Sequence, residues 1–124
     1  MGVARQFHTQ QIHFLRKDCS FSDNGSTLAV GTLPAGSVIL KPLSGVNVST
    51  VFSGGGAPTL NIGTAASGAF FASALSLTTV GHVSAATANS FLIGATDTDI
   101  TAAVTASGNT AGVAQIVIAY IPNL

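Results

Sequence analysis

Catalysis needs titratable or nucleophilic side chains brought together, and this sequence carries few: four Asp, no Glu, three His and one Cys. General acid–base chemistry requires two such groups with tuned proton affinities. Asp97 and Asp99 are two apart and share a face if the chain is extended. Such a pair could contribute to a calcium site, but calcium takes about six to eight oxygens, and no further acidic residue stands nearby. The expected reading is a solvated Asp-Thr-Asp turn. His8 and His13 are five apart, on opposite faces of a strand, and no Cys–His spacing suits zinc. His82, in Val80-Gly81-His82-Val83, reads as a strand residue at an interface. Cys19 as a nucleophile would need a base in reach and a third group orienting that base, and no motif supplies them. Ser53-Gly54-Gly55-Gly56-Ala57-Pro58 lacks the Gly-Lys-Ser/Thr and the following helix of a phosphate loop, so it reads as a turn. The expectation is a chain that is not an enzyme, with no catalytic residues, metal site or cofactor.

The elements that carry these residues are short strands. Val46, Val48, Thr50 and Phe52 share one face, with Asn47 and Ser49 on the other. Leu60 and Ile62 alternate with Thr59 and Asn61. Ile100, Ala102 and Val104 alternate with Thr101 and Thr105. Frequent Thr, Val, Ser and Gly make helix propensity poor even in the Ala-rich stretches. Asn24-Gly25 is a hairpin signal. Leu33-Pro34-Ala35-Gly36, with Pro second and Gly fourth, suits a type I turn. Ser107-Gly108-Asn109 separates the strand around Val104 from the last one. Residues 64–75 fit a loop, a strand or one short helical turn. With about eight or nine candidate strands at regular spacing, the fold expected is all-β: a single β-sandwich or jelly roll with an N-terminal arm. Residues 1–22 form the arm or edge strand, and residues 23–124 form the sandwich domain.

Composition points to assembly. Charged residues make up 6% of the 124 and sum to zero, against about 25% in typical domains. Mean hydropathy is +0.56. A neutral, sparsely charged surface resists self-association poorly, so much of it is expected to be covered. No run approaches the roughly 20 apolar residues of a spanning helix, which argues against a membrane. The start lacks a secretory apolar region. With one cysteine and no internal disulfide framework, the chain is read as folding in a reducing cytoplasm. Arg5, Arg16 and Lys17 near one end are too few to favour nucleic-acid binding. The Asn24-Gly25-Ser26 and Asn47-Val48-Ser49 sequons carry no weight without secretion.

Two segments are candidates for that covering. From Ala111 to Ile121, Val113, Val117 and Ile121 fall on one face and Ile116, Ile118 and Tyr120 largely on the other. Apolar residues on both faces imply burial on both sides, one inside the sandwich and one against another subunit. A central position in the sheet under a loop is the alternative. Residues 5–17 mix Phe7, Ile12, Phe14 and Leu15 into a polar, basic set, as an arm that ties one subunit to its neighbour would. The interface set is therefore Phe7, Ile12, Phe14, Leu15, Ile116, Ile118 and Tyr120.

Three stretches carry a family resemblance. They are Thr32-Leu33-Pro34-Ala35-Gly36-Ser37-Val38-Ile39, Thr59-Leu60-Asn61-Ile62-Gly63-Thr64, and Thr110-Ala111-Gly112-Val113-Ala114-Gln115-Ile116-Val117-Ile118-Ala119-Tyr120-Ile121. In style and segment order, from about residue 28 to the end, the chain resembles the head decoration (cement) proteins on the outside of tailed-bacteriophage capsids. The resemblance implies a β-sandwich or jelly roll, usually a homotrimer, made in the host cytoplasm and placed on the virion exterior. Such a protein binds junctions between major capsid protein subunits and stiffens the shell, with no cofactor. Another virion part, such as a tail, baseplate or head-fibre subunit, is the alternative. A carbohydrate-binding sandwich comes after it, since sugar sites present aromatic platforms and this chain has no Trp and one Tyr.

Overall fold

The structure is a computed structural model describing residues 12–85, 92–106 and 108–122. Its strands, in chain order, are β1 (His13–Ser20), β2 (Thr27–Leu33), β3 (Val38–Ile39), β4 (Gly45–Ser53), β5 (Thr59–Gly63), β6 (Ala72–Ser76), β7 (Gly81–Ser84), β8 (Thr98–Thr105) and β9 (Ala111–Ile121). One sheet runs β1-β9-β4-β7, with the two-residue β3 also paired to β9, and the other runs β2-β8-β5-β6. All these pairings are antiparallel. With β3 set aside, every connection crosses between sheets except the β5–β6 hairpin. Those are the interleaved Greek keys of a jelly roll. Among the described residues, no helix is long and apolar enough to cross a membrane.

The core lies where period-two alternation points inward from both sheets. Val46 and Val48 from β4, Leu60 and Ile62 from β5, and Ile100, Ala102 and Val104 from β8 are all buried, as their spacing predicts. Ile116 and Ile118 of β9 meet them from the first sheet. Two buried hydroxyls are internally satisfied, as burial requires. Ser44 Oγ donates to the Leu40 carbonyl at 2.8 Å and accepts from the Ala119 N–H at 3.0 Å, fastening the start of β4 to β9. Ser37 Oγ donates to the Pro34 carbonyl at 2.7 Å.

Several local expectations change. Thr50 is exposed, because β4 bulges against β9 between Val48 and Thr50 and again between Thr50 and Ser53. Two inserted residues cancel in phase, so Phe52 still turns inward and is buried. Asn24-Gly25 makes no hairpin. Asn24 at φ −55°, ψ 129° and Gly25 at φ +80°, with the Ser26 N–H bonded to the Asp23 carbonyl at 3.0 Å, form a type II turn that hands the chain from one sheet to the other. The turn after β2 starts one residue later than expected, closing from the Ser37 N–H to the Pro34 carbonyl at 3.2 Å. Within residues 64–75, the part before Ala72 is loop and turn and the rest enters β6.

Candidate assembly interface

The strand registers decide which side chains face outward from the first sheet. In antiparallel ladders, residues opposite one another share a face. Arg16 lies opposite Val117, Asp18 opposite Gln115 and Phe14 opposite Ala119. On the other side of β9, Asn47 of β4 lies opposite Gln115, and His82 of β7 opposite Asn47. Since Ile116 and Ile118 point into the core, these residues all point away from it.

That geometry corrects part of the expected interface. Ile116 and Ile118 are 0% exposed and belong to the core cluster, so they have no surface to give a partner. Tyr120 is half-buried, its ring 5.7 Å from that of His13. Leu15 is half-buried and packs across the sandwich toward Gly31. Phe7 and His8 lie outside the described residues. Ile12 and Phe14 are exposed, Phe14 to 55%. The outward face of β9 is apolar too, but its Val117 and Ala119 end is buried by the chain itself. There β9 is flanked by β1 and by the Leu40–Ser44 segment, whose Leu40 N–H bonds the Ala119 carbonyl at 2.8 Å. Val113, at the other end, is 46% exposed.

The surface thus assembled is the outward face of β1 and β9. An open cleft of about 530 Å³ is lined by Ile12, His13, Phe14, Arg16, Gln115 and Val117. A second hollow of about 390 Å³ lies toward Asp18, Asn47, Ser49 and Val113. Among the described residues the charges on this outward face are Arg16 and Asp18, with Gln115 Nε2 donating to Asp18 Oδ1 at 3.1 Å. His82 borders it, Nε2 donating to the Pro42 carbonyl at 3.1 Å and Nδ1 lying 3.0 Å from Asn47 Oδ1. Arg16, Asp18 and Gln115 escaped the sequence reading. The signal for Gln115 was parity with Val113 and Val117, useful only once the inward face of β9 is known, whereas Arg16 and Asp18 are placed by the pairing of β1 with β9.

The chemistry-bearing residues are occupied structurally. Cys19 is buried, and desolvation, then the nearby Asp23 and Asp18, push its thiol pKa up to about 11. At neutral pH it is a protonated thiol, the unreactive form. Asp97 accepts the Ala35 N–H at 2.9 Å and Asp99 the Thr32 hydroxyl at 2.6 Å, so both carboxylates hold the chain leaving β2. Among the described residues no three His, Cys, Asp or Glu side chains cluster as a metal site would require. Residues 54–58 form the connection from β4 to β5.

No protein-family model matches the chain, and no curated protein matches it. Solved structures do. A chain of the cyanophage Pam1 capsid asymmetric unit superposes with a TM-score of 0.70 at 18% identity, covering 91% of this chain and 86% of that one. A chain of the acid-stable capsid structure of Helicobacter pylori bacteriophage KHP30 gives 0.67 at 13% identity, covering 90% and 88%. The chain shares its fold with components of two phage capsids. At these identities the likeness is one of architecture, and it extends over nearly the whole of each chain.

Proposed function

We propose that this chain is a structural virion protein that decorates the exterior of a tailed-phage capsid and cements it at junctions between major capsid protein subunits. The observation that carries the reading is the end-to-end fold match to chains of two phage capsids. The exposed Ile12, Phe14 and Val113 at the outward face of β1 and β9 support it. Surface of that kind gains about 25 cal/mol per Å² when covered, less the entropy of association. Repeated contacts around a homotrimer multiply weak individual contacts through effective concentration. No bond is made or broken in this role. Residues 1–11 and the exposed Ile12 and Phe14 are assigned to subunit or capsid contact.

The test mixes purified chain with capsid shells that lack it. Co-sedimentation at a fixed ratio to the major capsid protein, with shells that rupture at higher temperature, is the expected result. A chain that stays in the supernatant, or that localises to tails or fibres in particle reconstructions, overturns the reading. Light scattering should give three times 12.3 kDa, or a multiple of it, if the homotrimer is right.

A further inference from the structure

Each sheet of a sandwich has two edge strands, and an open edge is a template for another strand. Among the described residues, three of the four edges are blunted. β7 has four residues. β2 breaks register between Ala29 and Gly31, and β6 is broken by a bulge at Ala74, whose φ is +55°. β1 differs: its eight residues run in unbroken register with β9, and no other strand is paired to it among the described residues. Its outward face carries Phe14, Arg16, Asp18 and Ser20, so an exposed cation and an exposed anion stand two residues apart on one face.

That charge order complements itself under a twofold axis. Two copies of β1 laid antiparallel about Lys17 set Arg16 of each against Asp18 of the other. The same register sets Phe14 against Ser20 and Leu15 against Cys19. Its one unfavourable meeting is Lys17 with itself on the opposite face, where the long stems can splay into water. A register one residue shorter would set Arg16 against Lys17 twice. A one-residue shift in either direction would turn one copy over, so that outward and inward faces met, and a two-residue shift would set Arg16 or Asp18 against itself.

We infer that β1 is a self-pairing edge: two copies of this chain join β1 to β1, antiparallel about Lys17, into one continuous sheet through reciprocal Arg16–Asp18 pairs. The contact lays the outward faces of two copies side by side on the same side of the sheet. It is independent of the capsid reading and compatible with a trimer built through other surfaces, in which case it links one trimer to the next.

Charge exchange tests it. Light scattering should give the wild-type chain at least twice the mass of either the R16D or the D18R variant: twice where the smaller unit is a monomer, twice or more where it is a trimer with three such edges. Each variant should associate roughly tenfold to a hundredfold more weakly, because two opposite-charge pairs become like-charge pairs. An equimolar mixture of R16D and D18R should recover the larger mass, since each then supplies the charge the other lacks. The K17C variant gives a readout that does not depend on either of these folding. Residues facing each other across the axis have Cα atoms about 4.5–5.5 Å apart, within disulfide range, so K17C should form a covalent dimer under mild oxidation. Equal masses for wild type and variants, a mixture that stays small, or K17C that fails to cross-link would each overturn the inference. Shell binding is read separately by co-sedimentation, so either claim can fail while the other stands.

Discussion

The side chain of Leu15, on the edge of one sheet, rests on the bare backbone of Gly31 in the other. A Cβ at Gly31 would lie 2.9 Å from both Leu15 methyl groups. This contact closes the side of the sandwich where β1 and β2 face each other, and it is why Leu15 is half-buried while Phe14 beside it is not. Gly31→Ala should therefore cost about 1–2 kcal/mol, since the end of a leucine can give way. Gly112→Ala should cost more, about 3 kcal/mol or above. Its Cβ would run into the Phe52 ring, and its φ of +146° strains any side chain. Urea denaturation of the two variants against wild type checks both the size and the order.

Cys19 gives a pH prediction with a definite sign. Its ordinary pKa of 9.0 is raised to about 11 in the folded chain. The folded state keeps the proton while the unfolded chain releases it, so the stability from the protonated thiol is complete below pH 9 and is lost as pH rises toward 11. The loss should reach about 2 kcal/mol. Because other groups titrate in that range, the measurement is the difference between wild type and Cys19→Ala across pH 8 to 11. A constant difference would refute it. At pH 7, a thiol-specific reagent should label the folded protein far more slowly than the urea-unfolded chain.

Ala74 holds a backbone angle that suits glycine, φ +55°, at the bulge in β6. Its N–H is held by Asn61 Oδ1 at 2.7 Å. Ala74→Gly should stabilise the fold by up to about 1 kcal/mol by relieving the left-handed strain. Asn61→Ala should destabilise it by about 1 kcal/mol through loss of the hydrogen bond. Thermal melts of both variants, expected to shift in opposite directions, provide the check.

Phe14 and Val113 separate folding from assembly. Both are exposed, so Phe14→Ser and Val113→Ser should change the stability of the isolated chain by no more than about 0.5 kcal/mol. Under the proposed role they should reduce occupancy on capsid shells, measured by co-sedimentation at limiting concentration. Full occupancy by both variants would remove this face from the capsid contact.

Strand identity was legible wherever a single face is apolar. Val46 and Val48, Leu60 and Ile62, and Ile100, Ala102 and Val104 alternate with polar neighbours, and that period fixes both the strand and its inward side. The same reasoning fails on β9, where Ile116 and Val117 are equally apolar. Only the strands packed against it show that Ile116 is inside and Val117 is not. Thr50 escaped for a different reason, since a bulge shifts phase without a sequence mark in Val48-Ser49-Thr50. Asn24-Gly25 carries the chemistry of a hairpin yet makes a turn that is not one, because local chemistry does not specify whether the next strand pairs with the last or crosses to the other sheet. That choice depends on β8 and β9, about eighty residues further along.

The place of β9 has a kinetic consequence. His13 pairs with Tyr120, and β1, β3 and β4 all pair to this one strand. During synthesis, the first sheet cannot form until the last of its strands has left the ribosome, and β2 and β5 must likewise wait for β8. Pairings this distant along the chain fold slowly, and unpaired strand edges waiting for partners are prone to aggregate. A chain whose β9 has not yet emerged therefore cannot present the β1–β9 face: whatever recognises that surface meets only molecules in which both sheets can close.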